Sequence, residues 1–284
     1  MADILKGTPV AAAITEDLAV RCEALNAKGI VPTLAMVRVG ERADDLSYQN
    51  AAMKRCEKIG IAVKPYFFPE NCPKEQLLAA IAEINNDRNI HGCLMFRPLP
   101  DKAAEDAACA ALSPAKDMDC MTDGSLAALL RGSGEGFPPC TAEGCMELLK
   151  YYGIEPEGKK VAVVGRSLVI GKPISLLLQQ KNATVTMCHT KTANLSAVCR
   201  EADIVVAAAG KAGLVTARFV RPGQTVVDVG INVDESGKLC GDADFSAAEP
   251  VVSAITPVPG GVGSVTTAIL CKHVIEASER TSAQ

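Results

Sequence analysis

The chain reads as an α/β protein of two domains with helices and strands alternating in both, the second Rossmann-like in its strand, glycine and helix order on a parallel sheet. Three observations predict this. Short apolar, β-branched runs alternate with helix-period patterns along most of the sequence. A glycine and proline cluster interrupts the alternation at residues 132–139 and marks a junction. Just beyond it, Val161-Ala162-Val163-Val164 breaks into Gly165 and then into a helical pattern, with Pro173 suited to a first turn. A chain of 284 residues has room for two domains of roughly 100 to 200 residues each.

Taken in order, residues 10–25 place Val10, Ile14, Leu18, Cys22 and Leu25 on one helical stripe. The first strand is expected over 33–39, followed by helix 46–59, strand 62–68, helix 74–84 and strand 90–96. That βαβαβ run stops at Arg97-Pro98-Leu99-Pro100. Past the junction a helix is expected over 143–151, then the strand at 161–164. Ile174, Leu177, Leu178 and Lys181 follow at helical spacing. Further short strands are expected over 184–187, 204–207, 225–229 and 252–255, and a closing helix over 262–280.

Composition narrows the functional classes. Apolar residues make up 48% and charged residues 22%, as in packed globular proteins. A net charge of −4 gives no general attraction to nucleic acid or to an anionic membrane. No run of 18 apolar residues occurs, and the start Met1-Ala2-Asp3-Ile4-Leu5-Lys6 lacks the basic and apolar regions of a signal peptide, so a cytoplasmic protein is expected. The twelve cysteines never form C-x-x-C and have only His91, His189 and His273 as possible metal co-ligands. They read as reduced core residues and the chain as metal-free. The absence of tryptophan and the 4% aromatic content argue against a base-stacking platform.

The stretch from Val161 to Pro173 carries the most chemistry. Where a strand hands over to a helix, open backbone N–H groups and the helix dipole favour a phosphate, and glycine lets it come close. Arg166 adds a fixed charge whose planar fork suits a second, monoester phosphate, which argues for NADP. NAD stays open, because loop geometry decides whether Arg166 meets a phosphate. The spacing is G-x5-G, which is neither G-x-G-x-x-G nor a P-loop, so an ordinary strand-to-helix turn is the competing reading. Three other stretches are too polar or too rich in glycine for plain core. Asp228-Val229-Gly230-Ile231-Asn232 ends a strand where a nicotinamide commonly rests. Residues 256–263, Thr-Pro-Val-Pro-Gly-Gly-Val-Gly, form a rigid loop suited to close ligand approach. Lys116-Asp117-Met118-Asp119 sets two acids one residue apart. Any one of them is also what a tight turn or a solvated loop looks like.

In order along the chain, Tyr48, Lys116-Asp117-Met118-Asp119, Pro139-Cys140-Thr141, Gly165-Arg166-Ser167 with Gly171-Lys172-Pro173, Asp228 to Asn232, and Pro257 to Gly263 closely resemble the methylene-tetrahydrofolate dehydrogenase/cyclohydrolase family. The resemblance runs from Lys6-Gly7 to the closing helix. It implies a folate-binding domain over 1–138 plus 264–284, an NADP-binding domain over 139–263, a cleft between them for folate and nicotinamide, and a homodimer. It also implies oxidation of methylene-tetrahydrofolate with NADP and hydrolysis of the methenyl product. Gly165, Arg166 and Ser167 match the family's pyrophosphate and 2′-phosphate turn, Thr190 a small hydroxyl residue near that phosphate, and Ile231 the neighbour of the nicotinamide. Tyr48 matches the ring that stacks on the folate, Asp119 the acid that pairs with the pterin, and Pro259, Gly260 and Gly261 the loop against the bound folate. His189, at a strand end with no visible carboxylate partner, reads as structural.

The chain departs from the family at one pair of positions that matters. Bifunctional members carry lysine four residues after the tyrosine, on the same helix face. Here that position is Ala52, and the glutamine that holds the lysine falls at Phe96. Lys54 is the nearest lysine and the candidate substitute, but at i+6 it lies about 120° from the Tyr48 face, so only a distorted helix brings it in. Smaller departures are Ala142, Cys120 and Ser264, where proline or glycine is usual. Hydride transfer needs mainly positioning, whereas hydrolysis needs an activated water and proton transfers. A dehydrogenase with doubtful cyclohydrolase activity is the leading reading. A dehydrogenase alone is the second, and a non-catalytic sensor of folate or dinucleotide is the reading from another class.

Overall fold

The structure is a computed structural model that describes residues 1–234 and 236–282. The first half of the chain forms β1 (Asp3–Ile4), α1 (Gly7–Asn26), β2 (Thr33–Val39), α2 (Ala43–Ile59), β3 (Ala62–Phe68), α3 (Lys74–Asn86), β4 (Gly92–Met95), α4 (Lys102–Ala111) and α5 (Asp123–Arg131). The second forms α6 (Cys140–Tyr151), β5 (Lys160–Val164), α7 (Gly171–Gln180), β6 (Thr184–Cys188), α8 (Leu195–Glu201), β7 (Ile204–Ala207), β8 (Thr225–Asp228), β9 (Asn232–Val233), β10 (Leu239–Cys240), α9 (Phe245–Ala248), β11 (Ala254–Ile255) and α10 (Thr266–Ser282). Two compact units result. One joins Met1–Ala12 to Thr141–Thr266, and the other joins Ala13–Cys140 to the closing helix from Thr267 onward.

The Ala13–Cys140 unit is built on a parallel three-stranded sheet in the order β3-β2-β4. The central strand is covered on both faces, and Leu34, Ala35, Met36 and Val37 are fully buried, which is why its sequence is a continuous apolar run. Leu77, Ile81 and Ile84 of α3 and Ala104 and Ala108 of α4 pack into the same core as Ala35, Val37, Cys93 and Met95. Each large side chain so buried stabilises the unit by about 1.5–3 kcal/mol. Caps set the helix limits. Asp101 accepts from the Ala103 N–H at 2.8 Å to start α4, Thr122 accepts from the Ser125 N–H at 3.1 Å to start α5, and α2 stops at Gly60 with φ +96°. The closing helix is clamped to α1 by Arg21, whose Nε and Nη2 donate to the two Glu279 oxygens at 2.9 and 2.7 Å.

The other unit carries a six-stranded sheet, all parallel, in the order β1-β11-β8-β7-β5-β6. From β5 the chain steps outward to β6 and then returns to β7 on the other side. The carboxyl ends of β5 and β7 therefore flank the topological switch point, the place where such sheets bind ligands. The first residues were expected in the substrate domain, but Asp3 and Ile4 pair with Ala254 and Ile255, so they lie in this sheet instead. A two-residue strand is too short to show alternation, and its partner is some 250 residues away. All twelve cysteines are free, nine of them buried, and no helix among the described residues is long and apolar enough to cross a membrane.

Candidate functional site: a dinucleotide turn and a substrate face

The turn after β5 is shaped by glycine. Gly165 adopts φ +139°, and a Cβ there would collide with the Ala208 carbonyl at the end of β7. A Cβ on Gly171 would collide with the Gly165 carbonyl, so both positions must be glycine for α7 to pack this close to the strand. The Gly165 N–H donates to Cys188 O at 3.0 Å, which sets Arg166 beside the residues that follow β6. Ser167 binds the helix start, its Oγ accepting from Ile170 N–H at 3.1 Å and Gly171 N–H at 3.4 Å. Those helix donors, which sequence reasoning offered to a phosphate, are thus occupied. The open donors lie one step earlier. The N–H groups of Arg166, Ser167, Leu168 and Val169 make no hydrogen bond among the described residues, and the exposed Arg166 guanidinium pairs with no carboxylate there. An exposed row of backbone donors beside an uncommitted cation fits a dinucleotide's phosphates.

Thr190 is exposed just past β6. His189 accepts the Lys191 N–H on Nδ1 at 3.1 Å, and its own N–H donates to Thr192 Oγ1 at 2.9 Å, so it closes a tight turn. At the end of β8 two buried acids organise what sequence showed only as a glycine-terminated strand. Asp228 accepts from the N–H groups of Gly230, Asp242 and Ala243 at 2.9, 3.0 and 2.8 Å, while burial pushes its carboxyl up to about 6. Asp242 accepts from Ala209, Gly210 and Lys211 N–H and from Asn232 Nδ2, which ties the loop after β7 to the strand-end loop. Ile231, held between these anchors, is 73% exposed. Sequence reasoning missed Asp242, since its partners lie 10 to 33 residues away. Pro259 and Gly260 follow a cis Val258–Pro259 bond. Gly260 O accepts the Gly7 N–H at 2.8 Å, and a Cβ on buried Gly261 would collide with Pro257 O.

In the other unit, Tyr48 stands half-buried on α2. The buried stripe of that helix is Asp45, Gln49, Ala52, Cys56 and Ile59. Two arginines fix its approach. Arg38 on β2 is buried, donates to Gln49 Oε1 at 2.9 Å and lies over the Phe67 ring. Arg42 donates to Pro98 O at 3.1 Å and to Asp45 at 3.0 Å. The Phe96 N–H donates to Val37 O at 3.0 Å and carries the β4 register one residue further. The Phe96 ring then meets Tyr48 edge-on, with centroids 6.2 Å apart and an interplanar angle of 78°. Ala52 has no exposed surface and Phe96 is 6% exposed. Lys54 is exposed, and α2 is uninterrupted α-helix from Ala43 to Ile59, so the distortion that would turn Lys54 toward Tyr48 is not there.

Each residue of Lys116-Asp117-Met118-Asp119 has its own task. Lys116 donates to the carbonyls of Ile84 and Asp87 at 2.5 and 2.7 Å, closing off α3, and burial lowers its pKa. Asp117, fully buried, accepts from the N–H groups of Asp119, Met121 and Thr122 at 3.3, 3.0 and 2.8 Å. Met118 fills the space over Gly92, where a Cβ would press to 2.6 Å on its side chain. Asp119 accepts the Cys140 N–H at 2.8 Å, and burial raises its carboxyl above the ordinary range despite that bond.

A glycine turn at the switch point of a parallel sheet, in a chain whose second unit presents a ring and a half-buried acid, defines a dinucleotide-binding α/β protein of the nicotinamide-dependent oxidoreductase class. The sequence matches the tetrahydrofolate dehydrogenase/cyclohydrolase catalytic domain over residues 5–119 and the NAD(P)-binding domain of the same family over residues 139–282. The chain belongs to that family. It is 52% identical over 281 residues to the bifunctional protein FolD of Carboxydothermus hydrogenoformans, covering 98% of each chain. The crystal structure of the Campylobacter jejuni bifunctional enzyme superposes with a TM-score of 0.95 at 38% identity over 99% of both chains. The Trypanosoma brucei enzyme, solved with NADP and an inhibitor, gives 0.92 at 34% identity over 100% of this chain and 99% of its own.

Proposed function

We propose that this protein oxidises methylene-tetrahydrofolate to methenyl-tetrahydrofolate with NADP and hydrolyses the methenyl product only slowly. NADP, when bound, supplies the two-electron acceptor for a hydride. Arg166 pairs with its 2′-phosphate beside the Thr190 hydroxyl, the open N–H groups of Arg166 to Val169 take the pyrophosphate, Ser167 holds the turn, and Ile231 covers the nicotinamide. Tyr48 stacks on the folate, the Asp119 carboxylate accepts from the pterin N–H groups, and Pro259, Gly260 and Gly261 line the bound folate. Hydride transfer then needs only these positioning groups. Hydrolysis needs a base for the attacking water. The observation that carries the split is the pairing of Ala52, which has no exposed surface, with Phe96 packed edge-on against Tyr48, where the family places lysine and glutamine. The twelve free thiols suit a reducing, cytoplasmic compartment, and family membership supports a homodimer acting on folate with neither nucleic acid nor membrane as partner.

The test is an assay of both half-reactions on one purified sample. Hydrolysis is expected below the family's balance by a factor of about 10² to 10⁴, the contribution of a positioned general base. Comparable rates for the two reactions would overturn slow hydrolysis, and a lack of NADP-dependent oxidation would overturn the dehydrogenase.

A further inference from the structure

We propose that His273, on the closing helix, is a positioning residue for the substrate acid. The inference rests on the reading of Asp119 as the group that holds the pterin. His273 has no exposed surface and is stacked at 4.8 Å between centroids, and 29° between planes, on the Phe137 ring. Arg280 covers that ring, its guanidinium carbon 4.3 Å from the centroid. His273 Nδ1 lies 2.8 Å from Met118 O. A carbonyl can only accept, so the imidazole proton on Nδ1 points at the peptide that leads into Asp119. The Cys140 thiol donates to the same carbonyl at 3.2 Å, and the Cys140 N–H donates to Asp119 Oδ1 at 2.8 Å. Asp117 Oδ1 accepts the Asp119 N–H at 3.3 Å. The Met118–Asp119 peptide group is therefore gripped at its carbonyl end by α10 and at its N–H end by Asp117.

This grip has a use beyond packing. A carboxylate that must meet two pterin donors has to arrive at one place and one angle, and a peptide free to rock would move it by more than a hydrogen bond tolerates. His273 removes that rocking from the carbonyl side, and its tautomer is fixed by the bond it makes. If the imidazole merely filled space, an apolar side chain of similar size would serve equally well.

His273→Leu keeps most of the bulk and removes the donor. His273→Asn keeps an N–H at the same reach along the side chain. In the dehydrogenase assay His273→Leu is expected to raise KM for methylene-tetrahydrofolate about tenfold while leaving KM for NADP within about twofold, and His273→Asn to recover most of that loss. An Asn variant as impaired as the Leu variant, or a parallel rise of both KM values, would overturn the inference. Asp119→Ala separates it from its premise. If Asp119→Ala leaves KM for folate unchanged, the reading of Asp119 fails, whereas a rise there with no rise in His273→Leu sinks only the role of His273. A measurement on the unmodified protein covers the case in which His273→Leu does not fold. The chain has three histidines, so nitrogen NMR resolves their tautomers. The proton is expected on His273 Nδ1, and a proton on Nε2 alone would remove the bond and the inference with it.

Discussion

In the turn after β5 the Arg166 guanidinium and the four successive N–H groups of Arg166 to Val169 have no partner among the described residues. On the substrate face the reverse holds. Where the family's lysine and glutamine would sit, Ala52 is sealed into the buried stripe of α2 and Phe96 is packed against Tyr48. The difference shows what each kind of site tolerates. An arginine in an exposed turn keeps its charge at little cost because water solvates it. A lysine inside a packed helix face needs its partner, since an unpaired buried charge costs several kcal/mol. Loss of either member of such a pair makes the other a liability, and here both are apolar.

The largest effect should come from putting the pair back. Ala52→Lys alone puts an ammonium into the buried stripe of α2 and is expected to lower stability without restoring much hydrolysis. Phe96→Gln alone removes the ring contact to Tyr48 and supplies an amide with nothing to hold. The double variant is expected to raise methenyl-tetrahydrofolate hydrolysis by about 10²-fold or more, well beyond the product of the single effects, because each residue orients the other. Additive singles would mean that the two positions do not cooperate. If Lys54→Ala in the unmodified protein abolished its hydrolysis, the base would be Lys54 and the comparison between the two regions would collapse.

What the sequence made legible divides along the same line. Strands at Thr33–Val39 and Ile204–Ala207 have the bounds that their apolar runs predict, because a strand covered on both faces is written in consecutive residues, and the edge strand Ala62–Phe68, with no fully buried residue, also has its expected bounds. The glycines of the Gly165 turn were legible because only glycine fits against Ala208 O. The helices α4, α5 and α8 were not legible. Alanine-rich Lys102–Ala111 has no large apolar side chain to mark its buried stripe, and the seven residues of Leu195–Glu201 make too short a period. Asp117, Asp242 and His273 were invisible as organisers for another reason. Nothing in a chain's order reveals that a histidine will sit on a carbonyl 155 residues away.

A smaller effect sharpens the dinucleotide side. Arg166 pairs with no carboxylate among the described residues, and on the proposed reading its charge-assisted pair with a monoester phosphate is worth on the order of 1.5–3 kcal/mol. Arg166→Ala is accordingly expected to cut the preference for NADP over NAD about tenfold or more, read as the ratio of kcat/KM for the two cofactors, with KM for folate unchanged. Equal use of both cofactors by the unmodified protein would take Arg166 out of that role.

The smallest effect concerns protons on the substrate side. Burial raises the Asp119 carboxyl above the ordinary carboxylate range, while the Cys140 N–H pulls in the opposite direction without cancelling it. The sign follows directly. A raised value means that on acidification Asp119 takes up its proton before an exposed aspartate does, and a protonated carboxyl offers the pterin one acceptor fewer. KM for methylene-tetrahydrofolate should therefore climb as the pH falls, starting at a pH where exposed carboxylates are still ionised. Asp119→Asn cannot titrate, so its KM, higher throughout, should be flat across the same range. NADP is a poor control here, because its 2′-phosphate takes up a proton near pH 6, about where phosphate monoesters titrate, and its own KM will drift. The Asp119→Asn profile is free of that complication, since the 2′-phosphate drift is common to both proteins and cancels in their ratio. An acid limb that persists undiminished in Asp119→Asn would assign the titration to another group and leave Asp119 without its part in folate binding.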